Sequence, residues 1–128
     1  MQRCSCGGDF AIDVGDSLQK DVFRWYASFH CNKCGNSVEM DGSGIDSIPA
    51  DIKEQIIQTE GIFGLRILDN KAKACYLMKK ILMDYDVLAI NENYIYCGTH
   101  NQVRWVKGQL IAKGMSGKNI EENRIESL

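Results

Sequence analysis

The sequence has few of the features that mark exported, membrane-spanning or disordered chains. Its 128 residues include one proline, and they contain no low-complexity segment or internal repeat. No apolar run approaches the roughly 18 to 20 residues that cross a bilayer. The first residues also lack the basic start and apolar stretch of a secretory signal. We therefore expect a cytoplasmic protein that has no membrane partner.

An excess of charge of one sign is also lacking. The chain has 15 basic and 17 acidic residues, and its formal net charge is -2. Domains that hold nucleic acid by a diffuse electrostatic field usually carry a marked basic excess. Nucleic acid is therefore the less favoured partner, and a basic protein surface would suit the chain better.

The clearest pattern in the sequence is the spacing of its cysteines. Four of its six cysteines form two short pairs, each followed by glycine: C-S-C-G at positions 4–7 and C-N-K-C-G at 31–35. In a chain without an export signal, such spacing points to metal rather than to disulfides. The glycines supply the positive φ that a metal-binding turn needs. We predict one structural Zn²⁺ bound by Cys4, Cys6, Cys31 and Cys34.

Catalysis is not expected from this set or from the other cysteines. Four thiolates leave no open position on zinc for water or substrate. His30 is an alternative ligand, but as the neighbour of Cys31 on a strand it should face the opposite side. Cys97 and His100 are residue types that can serve as a nucleophile and its general base. The sequence around them, however, does not indicate an orienting Asn or Asp or an oxyanion hole. Cys75 lies among apolar residues and is expected in the core.

Residues 1–41 are predicted to form a three-stranded zinc ribbon. Apolar residues alternate at positions 10–14 and again at 23–29, which indicates a hairpin with its turn near 15–17. A third strand is expected at 37–40, and the glycine-rich stretch 41–44 is expected to be a flexible turn. A ribbon this small buries little apolar surface, so metal binding should supply much of its folding free energy.

Residues 42–128 are predicted to form a small α/β sandwich. Apolar spacing indicates helices at 49–60, 70–83 and 100–113, strands at 61–68 and 94–97, a helical turn at 84–91, and a strand or tail at 116–125. Thr99 and Gln102 have the spacing of a capping box. The predicted buried residues of the last helix are Val103, Val106, Leu110 and Ile111. The expected fold class is α+β, with the zinc ribbon packed on the sandwich in one compact body.

Besides the two cysteine motifs, the chain contains Ile48-Pro49, G-I-F-G-L at 61–65, Gly98-Thr99 and V-R-W-V-K-G at 103–108. This combination resembles the small cytosolic immunity proteins of bacterial polymorphic and contact-dependent growth inhibition toxin systems. The resemblance implies a protein that binds and blocks one cognate toxin, commonly a nuclease, without catalytic residues. From residue 65 to about 124, the order of elements is also similar to that of the C-terminal domain of the bacterial ribosomal stalk protein.

Three further sets of residues each have a functional and a plain structural interpretation. Asp41, Asp46, Asp51 and Glu54 are the candidate toxin-binding patch, or else a solvated linker and helix start. The lysines at 71, 73, 79 and 80 either bind phosphate or form a solvated helix face. Phe23, Trp25 and Phe29 either stack on bases or pack in the core. The favoured function is a non-catalytic toxin inhibitor; the alternative is a zinc-ribbon module that binds nucleic acid or ribosomes.

Overall fold

A computed structural model describes residues 4–82 and 93–125. Within these ranges the chain forms three helices and two small antiparallel sheets, which confirms the α+β class. The elements, in chain order, are β1 (Phe10–Gln19), β2 (Val22–Cys31), β3 (Ser37–Ser43), α1 (Ala50–Glu60), β4 (Ile62–Ile67), α2 (Lys71–Ile81), β5 (Tyr96–Gly98), α3 (His100–Ala112) and β6 (Ile120–Ile125). The predicted helical turn at 84–91 lies outside the described residues.

The N-terminal sheet has the order β1-β2-β3, and its first hairpin is longer than predicted. Leu18 pairs with Phe23, and the turn consists of Lys20 and Asp21, with Lys20 at a φ of 55°. The turn predicted near 15–17 is therefore wrong. Gly15 instead lies within β1 beneath the ring of Tyr26, where an added Cβ would come within 2.5 Å of the ring.

The third strand also extends beyond its predicted end. β3 continues to Ser43, so the predicted flexible turn at 41–44 is mostly strand, and the boundary predicted after residue 41 falls inside β3. Gly42 pairs with Trp25, whose indole lies against it and whose Nε1 donates to Ser47 Oγ at 2.8 Å. The chain leaves the sheet at Gly44, which has a φ of 88°.

The C-terminal sheet has the order β5-β4-β6, and α3 connects it to the N-terminal sheet. Val103, Val106 and Leu110 of α3 are fully buried in a core that both sheets share. The predicted capping box is confirmed: Gln102 N donates to Thr99 Oγ1, and Thr99 N donates to Gln102 Oε1. Gln102 is itself buried, so the buried face of α3 is rotated relative to the predicted one. Ile111, which was predicted to be buried, is 44% exposed.

The aromatic residues of the N-terminal sheet belong to this core. Phe23 and Trp25 are 1% and 6% exposed, and they share one apolar cluster with Leu65 of β4 and Met78 of α2. Phe29 is partly buried at the margin of the same cluster. The core interpretation is confirmed for Phe23 and Trp25, because neither presents a free face on which a base could stack. No helix in the described ranges is long and apolar enough to cross a membrane.

Candidate metal centre

The four predicted ligand sulfurs lie together at one end of the N-terminal sheet. Cys4 Sγ is 3.5 Å from Cys34 Sγ, and Cys6 Sγ is 3.5 Å from Cys31 Sγ. All four sulfur atoms lie within 4.8 Å of one another. In a tetrahedral site with metal–sulfur bonds of about 2.3 Å, the sulfurs are roughly 3.8 Å apart. The cluster therefore has the dimensions of a site for one metal ion.

A tight turn positions the first pair of sulfurs. Gly7 N donates to the carbonyl of Cys4 at 2.9 Å, and Cys4 N donates to that of Gly8 at 3.1 Å. Gly7 has a φ of 87°, which is the left-handed conformation that glycine adopts without strain. The first pair thus forms a closed loop although it is one residue shorter than the second.

The second pair follows directly from β2. Cys31 is the last residue of that strand, and Gly35 N donates back to its carbonyl at 3.1 Å. Gly35 has a φ of 79°, so the glycine again serves the turn. Asn32 N donates to the carbonyl of Asp9 at 3.3 Å and links this turn to the first. The positive φ predicted for the glycine after each cysteine pair is therefore confirmed at both pairs.

Backbone amides around the cluster favour the ionised form of two thiols. Hydrogen bonds with the backbone of Cys6, with further contributions from neighbouring thiols, lower the pKa of Cys4 to about 6. Those with the backbone of Cys34 and Lys33 lower the pKa of Cys31, and Lys33 N lies 3.4 Å from its sulfur. Both sulfurs belong to buried residues. Amides facing thiolates are a usual feature of metal–thiolate turns.

Cys6, which is exposed, differs from the two buried cysteines. The pKa of Cys6 is raised to about 12: a hydrogen bond with the backbone of Gly8 lowers it, but the three neighbouring thiols and the loss of hydration together outweigh that effect. Four thiolates at this spacing repel one another unless a cation lies between them. Cys6 and Cys34 are exposed, so an ion has access from solvent.

The remaining cysteines and histidines lie elsewhere. Among the described residues, only the four cysteines named above form a group with metal-binding geometry, and the group includes neither His30 nor Cys75. Burial raises the pKa of the Cys97 thiol. His100 stacks on Phe63 with 4.5 Å between ring centroids, and its Nε2 lies 3.8 Å from Glu122 Oε2. The contacts of His100 are thus with a ring and a carboxylate.

The two predicted charged sets occupy several surfaces. Asp41 lies on β3, Asp46 in a short 3-10 turn, and Asp51 and Glu54 on α1, all exposed. Among the α2 lysines, Lys73 Nζ donates to the carbonyl of Gly114 at 3.2 Å, and Lys80 Nζ lies 4.6 Å from the ring centroid of Tyr76. At least two of the four lysines therefore have contacts within the chain.

Sequence reasoning missed an apolar groove beside the metal centre. It lies between the N-terminal sheet and α1, has a volume of about 530 Å³, and is lined by the apolar residues Phe10, Ile12, Phe29, Val38, Met40 and Ile52. Glu39 and Asp51 also line it, whereas no lysine or arginine of the described residues does. The sequence signal for this groove was the alternation of Val38 and Met40 with acidic residues. This alternation indicates an apolar strand face only once β3 is known to extend to Ser43.

Comparisons with known proteins do not place the chain in a family. No protein-family model, curated protein or solved structure matches it. The similarity to immunity proteins and to the ribosomal stalk domain therefore stays a prediction. The functional inference depends on the metal centre, the groove and their surroundings.

Proposed function

We propose that this protein is a non-catalytic inhibitor that binds a bacterial toxin and covers its active surface. The observation that carries the proposal is the groove beside the metal centre. Val38 and Met40 in its wall are 53% and 41% exposed, and the two charged residues that border it, Glu39 and Asp51, are both acidic. Exposed apolar surface flanked by charge of one sign is typical of a protein-binding site.

The metal in this proposal is Zn²⁺, and its role is structural. Four cysteine ligands are the usual set of a closed structural zinc site. The cluster lies at the end of the sheet where Phe10 pairs with Cys31, and both Phe10 and its ring neighbour Phe29 are only partly buried there. Zinc would hold together this end of the sheet, where the two aromatic residues are not fully buried by the core. The N-terminal sheet is accordingly a zinc ribbon.

The proposed partner is a basic surface such as the active-site cleft of a nuclease toxin. Asp51 of α1 borders the groove, and Glu39 and Asp41 lie on β3, the strand that forms one of its walls. Complementary charge across an interface mainly raises the association rate and sharpens specificity. The resemblance of the sequence motifs to immunity proteins points to the same class of partner, and inhibition would take place in the cytoplasm.

The test is affinity capture with the tagged full chain from lysate of its source cells, with and without nuclease treatment. We expect a stoichiometric, salt-resistant partner that is the C-terminal part of a large exported protein. Expression of that part in a laboratory host should stop growth, and co-expression of the chain should restore it. Recovery only of nucleic acid or ribosomal proteins, lost on nuclease treatment, would overturn the proposal in favour of a nucleic-acid module.

A further inference from the structure

Among the described residues, one edge of strand β3 is free. This strand is the last in the order β1-β2-β3, and within residues 4–82 and 93–125 only β2 pairs with it. Every residue of β3 except Gly42 is exposed. Such an edge presents unpaired backbone N–H and C=O groups, which are a template for another strand. The strand contains no proline, and its only charged residues, Glu39 and Asp41, are both acidic, so they oppose pairing with an acidic strand but not with a basic one.

One face of this edge is apolar and continuous with the groove. Val38 and Met40 pair with Phe29 and Ala27, so their side chains lie on the face of the sheet that α1 covers in part. Ile52 of α1 forms the opposite wall of the groove. A strand added beside β3 would place every second side chain into this space, because side chains alternate between the two faces of a strand.

The other face of the edge is acidic. Glu39 and Asp41 alternate with Val38 and Met40 and therefore lie on the opposite side of β3. A second copy of β3 in this position would bring carboxylates close to carboxylates, and like charges on neighbouring strands are destabilising. Lysine or arginine at the same positions would instead form favourable cross-strand pairs.

We propose that β3 accepts a β-strand from the partner protein, an extended segment in which apolar side chains alternate with lysine or arginine. The apolar side chains fill the groove between β3 and α1, and the basic ones pair with Glu39 and Asp41. Main-chain hydrogen bonds along the edge supply affinity, and the alternation supplies specificity. This inference rests on the proposed binding function and names the surface and mode of binding.

The first experiment uses a synthetic eight-residue peptide that alternates valine or isoleucine with lysine or arginine. Alternate amides of β3 have no partner in β2, so their hydrogens should exchange quickly in the zinc-loaded protein and become protected when the peptide binds. A peptide of the same composition without the alternation, and one with glutamate in place of the basic residues, should each bind at least about tenfold more weakly. Absence of protection in β3 at saturating peptide overturns the proposal.

Matched variants locate the site. Val38→Lys places a charge on the apolar face of the edge, whereas Val22→Lys makes the same change at a residue of similar exposure, 47% against 53%, at the far end of β2. We expect at least about tenfold weaker peptide binding for Val38→Lys only. The double variant Glu39→Lys, Asp41→Lys should reverse the preference toward the glutamate peptide. Zinc content of each variant checks that the sheet is intact.

The outcomes separate this inference from the proposed function. A captured toxin that binds Val38→Lys and the parent equally overturns the edge site and leaves the inhibitor function standing. Peptide binding at β3 without capture or growth rescue supports the edge site and overturns the toxin partner. Protection of β3 that rises with protein concentration in the absence of peptide would assign the edge to a second copy of the chain, and would overturn the partner strand.

Discussion

Asn101 of α3 joins the C-terminal part of the chain to the N-terminal sheet through Asp16 of β1. Its Nδ2 donates to Asp16 Oδ1 at 2.7 Å and to the Asp16 carbonyl at 3.1 Å. Asp16 Oδ2 is buried and has no hydrogen-bond partner among the described residues. The hydrogen bond from Asn101 to Oδ1 is therefore important for keeping this carboxylate in a partly buried position. A second link lies one helical turn away, where Trp105 Nε1 donates to the carbonyl of Asp21 at 2.9 Å.

Asn101→Ala should destabilise the fold. The substitution leaves Asp16 Oδ1 without its donor, and a partly buried acceptor that loses its partner costs about 1 to 3 kcal/mol. Urea denaturation measures the decrease in the free energy of unfolding. Arg104→Ala, at an exposed position on the same helix, is the control and should change it by less than about 0.5 kcal/mol. Equal effects of the two substitutions would contradict the role given to Asn101.

Cys31→Ser should abolish zinc binding and unfold the metal end of the N-terminal sheet. Cys31 is fully buried and is both a ligand and the last residue of β2, so its loss removes a ligand and the anchor of the second turn. Native mass spectrometry should find one zinc per parent chain and none per variant chain. Amide exchange in β1 and β2 should accelerate accordingly. Cys75→Ser is the matched control and should keep its zinc, and a zinc-loaded, fully protected Cys31→Ser chain would exclude the proposed ligand set.

The helices were predictable because their signals are local. Pro49 and Gly61 bound α1 as expected, and Gly61 has the positive φ of a helix stop. Thr99 and Gln102 specify the start of α3 by hydrogen bonds between residues three apart. The cysteine pairs belong to the same class, because each turn closes within a few residues and depends on its own glycine. Signals of this kind need no knowledge of the distant parts of the chain.

The N-terminal sheet was less predictable because its glycines serve packing between strands. Gly15 and Gly42 looked like turn residues, yet each lies in a strand beneath an aromatic ring, Tyr26 and Trp25 respectively. A glycine that makes room for a ring on the next strand cannot be told from a turn glycine until the register is known. The groove was missed for the same reason, since it exists only where β3, β2 and α1 meet. Ile111 was misassigned because Gln102 takes a buried position through its capping bond.

Gly8→Ala should weaken zinc binding. An added Cβ at Gly8 would lie 2.7 Å from Lys33 Cβ and 2.8 Å from Cys31 Sγ, so a ligand sulfur would have to move. We expect at least about tenfold lower zinc affinity in competition with a chromophoric chelator. Gly108→Ala is the matched control, because nothing lies within 4 Å of its added Cβ. That change in the interior of α3 should leave zinc affinity unaltered and raise stability by about 0.5 to 1 kcal/mol; equal zinc affinity in both variants would contradict the crowding at Gly8.

Tyr96 should make the protein lose stability at alkaline pH. Burial, with smaller contributions from Asp46 and Cys97, raises the pKa of Tyr96 well above its usual range. In the unfolded chain a tyrosine ionises near pH 10, so above about that pH the unfolded state releases a proton that the folded state retains. The contribution of Tyr96 to stability is then fully present below about pH 10 and falls as the pH rises. Tyr96→Phe should flatten this fall between about pH 10 and 11, as measured by urea denaturation of the zinc-loaded protein.

Two neighbours of Tyr96 decide how the alkaline loss is measured. Burial raises the pKa of Cys97, so stability is lost from about pH 8.5 upward as that thiol ionises in the unfolded chain. Burial lowers the pKa of Lys53, whose Nζ lies 5.7 Å from the Tyr96 ring centroid. The folded state therefore loses this proton before the unfolded state does, and the free energy of unfolding rises with pH up to about pH 10.4. Both effects are present in the parent and in Tyr96→Phe, so the difference between their slopes above about pH 10 reports the contribution of Tyr96. Tyr76→Phe is the control because that ring is 59% exposed, and equal alkaline slopes for the parent and Tyr96→Phe would show that burial of Tyr96 does not govern the loss.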